Sequence, residues 1–233
     1  MVLANFRVLI LNGQVLRSWK NIAYRRRPLS TQPGLKELVQ FDKIQDDVAQ
    51  EVLRNFRVIP DFITEDEEKD LLEELEPKLR RMRYQYDHWD DAIHGFRETE
   101  QMKWNAANSA VFNRIKSEAF PGEAALLPHV HVLDLADNGW IKPHIDSVKF
   151  CGHTIAGVSL LSDSVMKLER ETDGSAFVAL LKRRSLYVMT GCVRYEFKHS
   201  ILRNEDSYFG DLKVDKIRRI SVICRNEPEE ENL

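Results

Sequence analysis

Three side chains in the second half of the chain are of the kinds that hold a metal. His144 and Asp146 stand two residues apart in W-I-K-P-H-I-D-S-V-K-F-C-G, and His199 closes V-R-Y-E-F-K-H. On a strand, residues i and i+2 project from the same face, so His144 and Asp146 can converge on one ion. Pro143 fixes its own φ just before them. His199 is the best third donor. Two neutral imidazoles and one carboxylate on one side of an ion leave positions open, the arrangement of non-haem Fe(II) oxygenases. Zinc is the rival ion for the same donors. Taken alone, H-x-D is common, and two polar residues at a strand end would read the same.

The last apolar segment bears on that choice. In Arg219-Ile220-Ser221-Val222-Ile223-Cys224-Arg225, alternation puts Arg219, Ser221, Ile223 and Arg225 on one face and Ile220, Val222 and Cys224 on the other. A cation buried inside a sheet fold is costly unless it meets an anion. A small dicarboxylate held at the metal supplies one, because guanidinium grips a carboxylate through two hydrogen bonds. An edge strand with solvated arginines would show the same alternation. Each signal is weak by itself, and the order H-x-D, H, R-x-S-x-x-x-R makes them reinforce each other.

That combination resembles the AlkB branch of the Fe(II)/2-oxoglutarate dioxygenases over roughly residues 50–226. Segments that carry the resemblance are YQYDHWDDAIHGFRETE, HVLDL, IKPHIDSVKFCG, TIAGVSLLS and RRISVICR. It implies Fe(II) as the metal, with His144, Asp146 and His199 as ligands and catalytic residues, and 2-oxoglutarate and O2 as cosubstrates. Arg219 would hold the distal carboxylate, Ser221 and Arg225 would complete that strand's part of the pocket, and Tyr187 in S-L-Y-V-M would touch the cosubstrate. The implied reaction couples oxidative decarboxylation of 2-oxoglutarate to hydroxylation of a substrate C–H bond. A role in mitochondrial metabolism and regulated necrosis is implied by the resemblance only. Where many relatives carry Asn and Tyr ahead of H-x-D, this chain has Leu133 and Leu135, and Ser221 replaces a usual Asn. No insertion matches the nucleotide-recognition lid, which argues against direct DNA repair.

The elements that must position these residues change character along the chain. Residues 37–55 read as a short amphipathic helix, with apolar Val39, Val48, Val52 and Leu53. F-R-V-I-P-D-F at 56–62 reads as a strand entering a turn. Thr64-Glu65-Asp66-Glu67 is a capping-box pattern, opening a helix with Leu71, Leu72, Leu75 and Leu79 on one face. Another helix is expected over 103–119. From about 127 the period becomes alternating, with strands expected at 128–136, 141–147, 154–161, 164–170, 176–190, 193–201 and 218–225. Turn signals fall at Asp137-Asn138-Gly139, Asp173-Gly174 and Gly210. The expected fold is α+β, a double-stranded β-helix (jelly roll) with N-terminal helices packed on one sheet. The dioxygenase domain would span 37–226, with a helical front at 37–122 and a jelly-roll core at 123–226.

The flanks differ. Residues 1–36 hold seven Lys or Arg and no acid, the pattern of a mitochondrial transit peptide with R-R-R-P-L-S as its processing region. A basic tail or nucleic-acid arm would look similar. The other 197 residues carry all 37 acidic residues against 27 basic ones, which works against duplex binding. The acidic stretch 227–233 is read as a disordered tail. Three scattered cysteines argue against a disulfide framework, and no apolar run is long enough for a membrane span. With the resemblance, these features point to an enzyme of the mitochondrial matrix acting on a protein substrate, with mitochondrial RNA (tRNA) demethylation as the alternative; a monomer is expected, though the sequence leaves the oligomeric state open. A non-catalytic module or a zinc hydrolase would leave the arginine pair without a role. His129 and His131 form a second candidate metal pair, without a supporting acid or basic strand. Tyr84, Tyr86, His88, Trp89, His94, Phe96 and Arg97 form a cluster that could stack on bases, line a peptide groove or pack the front onto the sheet.

Overall fold

Helix and strand alternate through the first third of the domain. A computed structural model describes residues 37–86, 91–120, 122 and 125–228. Residues 1–36, where a transit peptide was expected, His88, Trp89 and residues 229–233 lie outside the described residues. Strand β1 (Val39–Lys43) is followed by α1 (Asp46–Asn55), β2 (Phe56–Ile59), α2 (Glu65–Leu79), β3 (Ile93–Gln101) and α3 (Ala106–Ala119). The single helix expected over 37–55 is therefore β1 plus α1. Val39 and Phe41 alternate along β1 and add it to the edge of a distant strand, a pairing that local spacing cannot reveal.

α2 begins as its residue types require. The Thr64 hydroxyl accepts from the Glu67 amide at 3.2 Å, and the Glu67 carboxylate accepts from the Thr64 amide at 2.8 Å. Asn105 caps α3 by accepting from the Asn108 amide at 2.8 Å. Leu71, Leu75 and Leu79 of α2 and Val111 and Ile115 of α3 are buried together. Each such side chain contributes roughly 1.5–3 kcal/mol on burial.

The second half supplies β4 (Val130–His144), β5 (Ile155–Leu160), β6 (Ser164–Arg170), β7 (Ala176–Leu181), β8 (Leu186–Met189), α4 (Gly191–Glu196), β9 (Phe197–Ile201), β10 (Tyr208–Phe209), β11 (Leu212–Lys213) and β12 (Arg219–Arg225). All but β10 and β11 join one antiparallel sheet in the order β1-β7-β6-β9-β4-β12-β5-β8-β2, with β3 also on β4. Its two ends curl towards each other: Phe56 of β2 meets Phe177 of β7 edge-on at 5.4 Å. The result is a nearly closed jelly roll. Its interior holds Phe56, Phe96, Leu133, Leu135, Phe177, Phe197 and Ile223. Helices α2 and α3 cover the outer face, against Val132, Val158, Val188, Ile220 and Val222. The expected architecture is what forms.

β4 changes partner along its length. Residues 131–135 pair with β12, and Ile141 and His144 pair with β9. The Asp137-Asn138-Gly139 segment, expected as a turn between two strands, is a bulge inside this one strand. Opposite it, β3 advances only from Phe96 to His94 while β4 advances from Leu135 to Trp140. Gly95 takes φ +67°, and a Cβ on Gly139 would stand 2.4 Å from the Gly95 carbonyl oxygen, so the crossing requires two glycines. β3 itself was not expected. The 193–201 segment divides into α4 and β9, because Gly191 at φ +47° turns the chain. No helix among the described residues is long and apolar enough to cross a membrane.

Candidate metal centre

The β4–β9 ladder slips by one residue immediately before the metal-binding candidates. Ile141 pairs with Ile201 and His144 with His199, so three steps on β4 match two on β9. Pro143 falls in this bulge, where its missing N–H removes no regular ladder bond. The slip turns both Ile141 and His144 towards the interior, and Asp146 follows two residues later. Asp146 Oδ1 lies 3.4 Å from His144 Nε2 and 3.5 Å from His199 Nε2. The three donor atoms lie within 4.8 Å of one another, the only such cluster found among the described residues.

Protonation suits a cation. His144 Nδ1 stands 2.9 Å from the Lys142 carbonyl and donates to it, leaving the Nε2 lone pair aimed at the cluster. Burial, and then His144 beside it, push the His199 pKa down to about 3, so its imidazole is neutral. Burial pushes the Asp146 carboxyl up, but Arg225 and the two histidines outweigh it and hold the group well below the usual carboxylate range.

Arg225 is engaged at the ligand itself. Its Nε and Nη2 donate to Asp146 Oδ2 at 2.9 and 2.8 Å. Its Nη1 donates to His131 Nδ1 at 3.2 Å, which leaves His131 Nε2–H to donate to Glu98 at 2.9 Å. A chain Glu98–His131–Arg225–Asp146 thus fixes the carboxylate. His131 is a support for this site, and the second metal pair does not form: His129 faces Glu100 at 3.4 Å instead. Sequence reading missed Glu98 because it lies on the unexpected strand β3.

The other arginine of β12 is placed differently. Its neighbour Arg218 points outwards, bonded to Asp134 at 2.7 Å and Glu76 at 2.5 Å, while Arg97 also holds Asp134 at 2.7 Å beneath Tyr84. That anchored neighbour sends Arg219 inwards by strand alternation. Arg219 is 2% exposed, and no carboxylate pairs with it among the described residues. Its Nη2 donates to Ser159 Oγ at 2.9 Å, and its Nε has no partner. Burial lowers its pKa to about 10. Tyr187 is buried beside Arg219, Arg225 and Ser221, its phenol pushed up chiefly by burial. Gly157 makes room for that ring, since a Cβ there would stand 2.5 Å from Tyr187 Cε1. Leu135 and Leu133 pair with Arg219 and Ser221 across β4–β12. Ser159 was missed, although the alternation of Ile155, Gly157 and Ser159 on β5 carried the signal.

Two concavities, of about 600 Å³ along α2 and about 380 Å³ beside Trp140 and Arg203, are lined by none of the triad residues and gather no comparable donor set. Of the described members of the aromatic cluster, Phe96 and Arg97 are buried and Tyr84 donates to Asp134 at 3.2 Å, whereas Tyr86 is exposed. Two imidazoles, a carboxylate and a buried guanidinium without an anion fit a divalent metal plus a small dicarboxylate.

A jelly roll with that donor set defines the class of Fe(II)- and 2-oxoglutarate-dependent oxygenases. Among solved structures, a prolyl-4-hydroxylase from Pseudomonas putida superposes with a TM-score of 0.51 at 12% identity, covering 78% of this chain and 98% of that one. No protein-family model matches. The chain is 54% identical over 179 residues to the mitochondrial alpha-ketoglutarate-dependent dioxygenase alkB homolog 7 of Mus musculus, covering 76% of this chain and 81% of the relative. The Bos taurus protein of the same name is 54% identical over 173 residues, covering 74% and 78%. The chain belongs to the alkB homolog 7 family of alpha-ketoglutarate-dependent dioxygenases. It is an enzyme that uses Fe(II), 2-oxoglutarate and O2.

Proposed function

We propose that His144, Asp146 and His199 bind the iron, and that Arg219, assisted by Ser159, Ser221 and Tyr187, binds 2-oxoglutarate to hydroxylate a C–H bond of a protein in the mitochondrial matrix. The observation that carries this reading is Arg219, a buried cation with no anion, inside the same barrel as the triad. When bound, iron and 2-oxoglutarate supply the activation of O2. The chain's own residues do the placing. Ser159 orients the Arg219 fork, Arg225 holds one Asp146 oxygen so that the other faces the histidines, and Leu133 and Leu135 exclude water from the guanidinium. Arg225 therefore supports the pocket through Asp146.

A protein substrate is favoured by charge. Beyond residue 36 the chain is acidic, and the lysines on the triad-bearing strands and on β6 are answered locally, with Lys142 on Asp91, Lys198 on Glu171 and Lys167 on Glu169. Nucleic acid requires such cations free for phosphate. The matrix location rests on the acid-free first 36 residues and on the word mitochondrial in the relatives' names. The role in mitochondrial metabolism and regulated necrosis rests on family membership alone.

The test is anaerobic reconstitution with Fe(II), then succinate formed from 2-oxoglutarate in air. Wild type should exceed both His144→Ala and Arg219→Ala by at least a hundredfold, and equal rates would sink the proposal. Mass spectrometry of mitochondrial protein and tRNA from cells lacking the enzyme then reads the substrate. A lost protein hydroxylation is expected; accumulated methylated tRNA with unchanged protein would favour the RNA demethylase reading.

A further inference from the structure

The loop that carries Asp146 out of β4 is bare on its outer side. Ser147, Val148, Lys149 and Phe150 are all exposed, Phe150 to 71%. Within the turn, the Phe150 and Cys151 amides donate to the Ser147 carbonyl at 3.1 and 3.3 Å. A segment with so few apolar contacts belongs to the part of a protein that opens first. Yet a metal ligand must be held to within about 0.5 Å.

What lies beneath the loop is Arg194, on α4. It is 1% exposed. Its Nη1 donates to the Asp146 carbonyl at 2.8 Å, its Nη2 to the Cys151 carbonyl and Sγ at 3.1 Å each, and its Nε to the Gly152 carbonyl at 3.1 Å. Its guanidinium lies over the Tyr195 ring at 4.9 Å. No carboxylate pairs with it among the described residues. A buried guanidinium answered mainly by main-chain carbonyls is an expensive arrangement. Those carbonyls mark the first residue of the loop and its last two.

We infer that Arg194 is a positioning residue for the metal centre, acting through the main chain of Asp146–Gly152 to set where the Asp146 carboxylate stands. The inference rests on the reading of Asp146 as a metal ligand. Asp146 is then fixed twice, by Arg225 at Oδ2 and by Arg194 at its carbonyl. α4 runs directly into β9, so one short segment delivers both Arg194 and His199. Lysine cannot substitute, because a single ammonium cannot fan out to three carbonyls and a sulfur as the planar fork does.

The test titrates Co(II) anaerobically into the wild-type, Arg194→Lys, Arg97→Lys and His144→Ala chains, following the visible d–d absorption and, in parallel, the thermal midpoint of the metal-free proteins. Arg194→Lys should bind Co(II) about 10- to 100-fold more weakly, with an altered band, as loss of an outer support does. Arg97→Lys, which disturbs a buried arginine away from the site, should keep the wild-type affinity and band. If Arg194→Lys does not fold, Arg194→Gln carries the same comparison. Wild-type affinity and spectrum in the Arg194 variant, or an equal loss in Arg97→Lys, would overturn the inference. A wild type that binds no better than His144→Ala would instead defeat the metal-centre reading on which it rests.

Discussion

His144 and His199 stand directly opposite each other across β4 and β9, with ring centroids 4.2 Å apart and both Nε2 atoms within 3.5 Å of one oxygen of Asp146. Without an ion, burial and then His144 beside it oppose protonation of His199. Residues arranged for function commonly cost stability. His144→Ala or His199→Ala should therefore lower Co(II) or Fe(II) affinity by at least a hundredfold while leaving the metal-free thermal midpoint unchanged or slightly raised. Calorimetry of the metal-free proteins, beside a metal titration, checks both halves.

Arg219 makes the same argument from the other end of the pocket. Its guanidinium has one hydroxyl partner and no anion, so the cosubstrate completes its bonding. In Arg219→Met, a chain of similar length, the metal-free protein should melt at or above the wild-type midpoint. It should also lose the stabilisation that millimolar 2-oxoglutarate with Mn(II) gives the wild type, a gain that grows as the logarithm of ligand over Kd. Thermal shift with and without cosubstrate reads this. Equal shifts in both proteins would place the distal carboxylate elsewhere.

The site was more legible than the scaffold. The i, i+2 spacing of His144 and Asp146 and the strict alternation of Arg219 to Arg225 were visible in the sequence, although Asp146 stands in the loop two residues beyond the end of β4. Ser159 and Gly157 obey the same alternation but carry no chemistry that draws attention without knowledge of Arg219 and Tyr187. β3 was hidden because Arg97 and Glu98 look like surface residues. Arg97 is buried against Asp134, and Glu98 meets His131, pairings made by residues more than thirty positions away. α4 was hidden because V-R-Y-E-F-K-H alternates as a strand would, whereas Gly191 and the inward turn of Arg194 give one helical turn and a half first.

Gly157 and Tyr187 are cross-strand partners on β5 and β8. A methyl group at Gly157 would come within 2.5–2.7 Å of Cε1, Cζ and Oη of the ring, too close for any rotamer that leaves the phenol in place. Gly157→Ala should cost about 1–3 kcal/mol, the usual range for overpacking, and raise KM for 2-oxoglutarate more than it lowers kcat. In a Tyr187→Ala background the same substitution should cost far less. A double-mutant cycle by urea denaturation measures the coupling, and additive effects would show that the ring does not depend on this glycine.

Lys216 offers the test of pH. Its ammonium is 1% exposed, donates to the Ala136 and Asp137 carbonyls at 2.8 Å each, and sits near Arg219. Burial, then Arg219, lower its pKa to about 8 from an ordinary 10.5, with Asp137 opposing. As a neutral amine it can still make both hydrogen bonds. Between about pH 8 and 10.5 the unfolded chain holds a proton that the folded chain has released. Raising pH across that window therefore stabilises the fold, and below 8, where both states are protonated, the group adds no slope. Relative to Lys216→Met, the wild type should gain stability across the window by no more than about 1.4 kcal/mol per pH unit. Urea denaturation of both proteins at several pH values isolates the difference, because every other titrating group is shared. A wild type that loses ground to the variant as pH rises would mean that the folded state favours the ammonium.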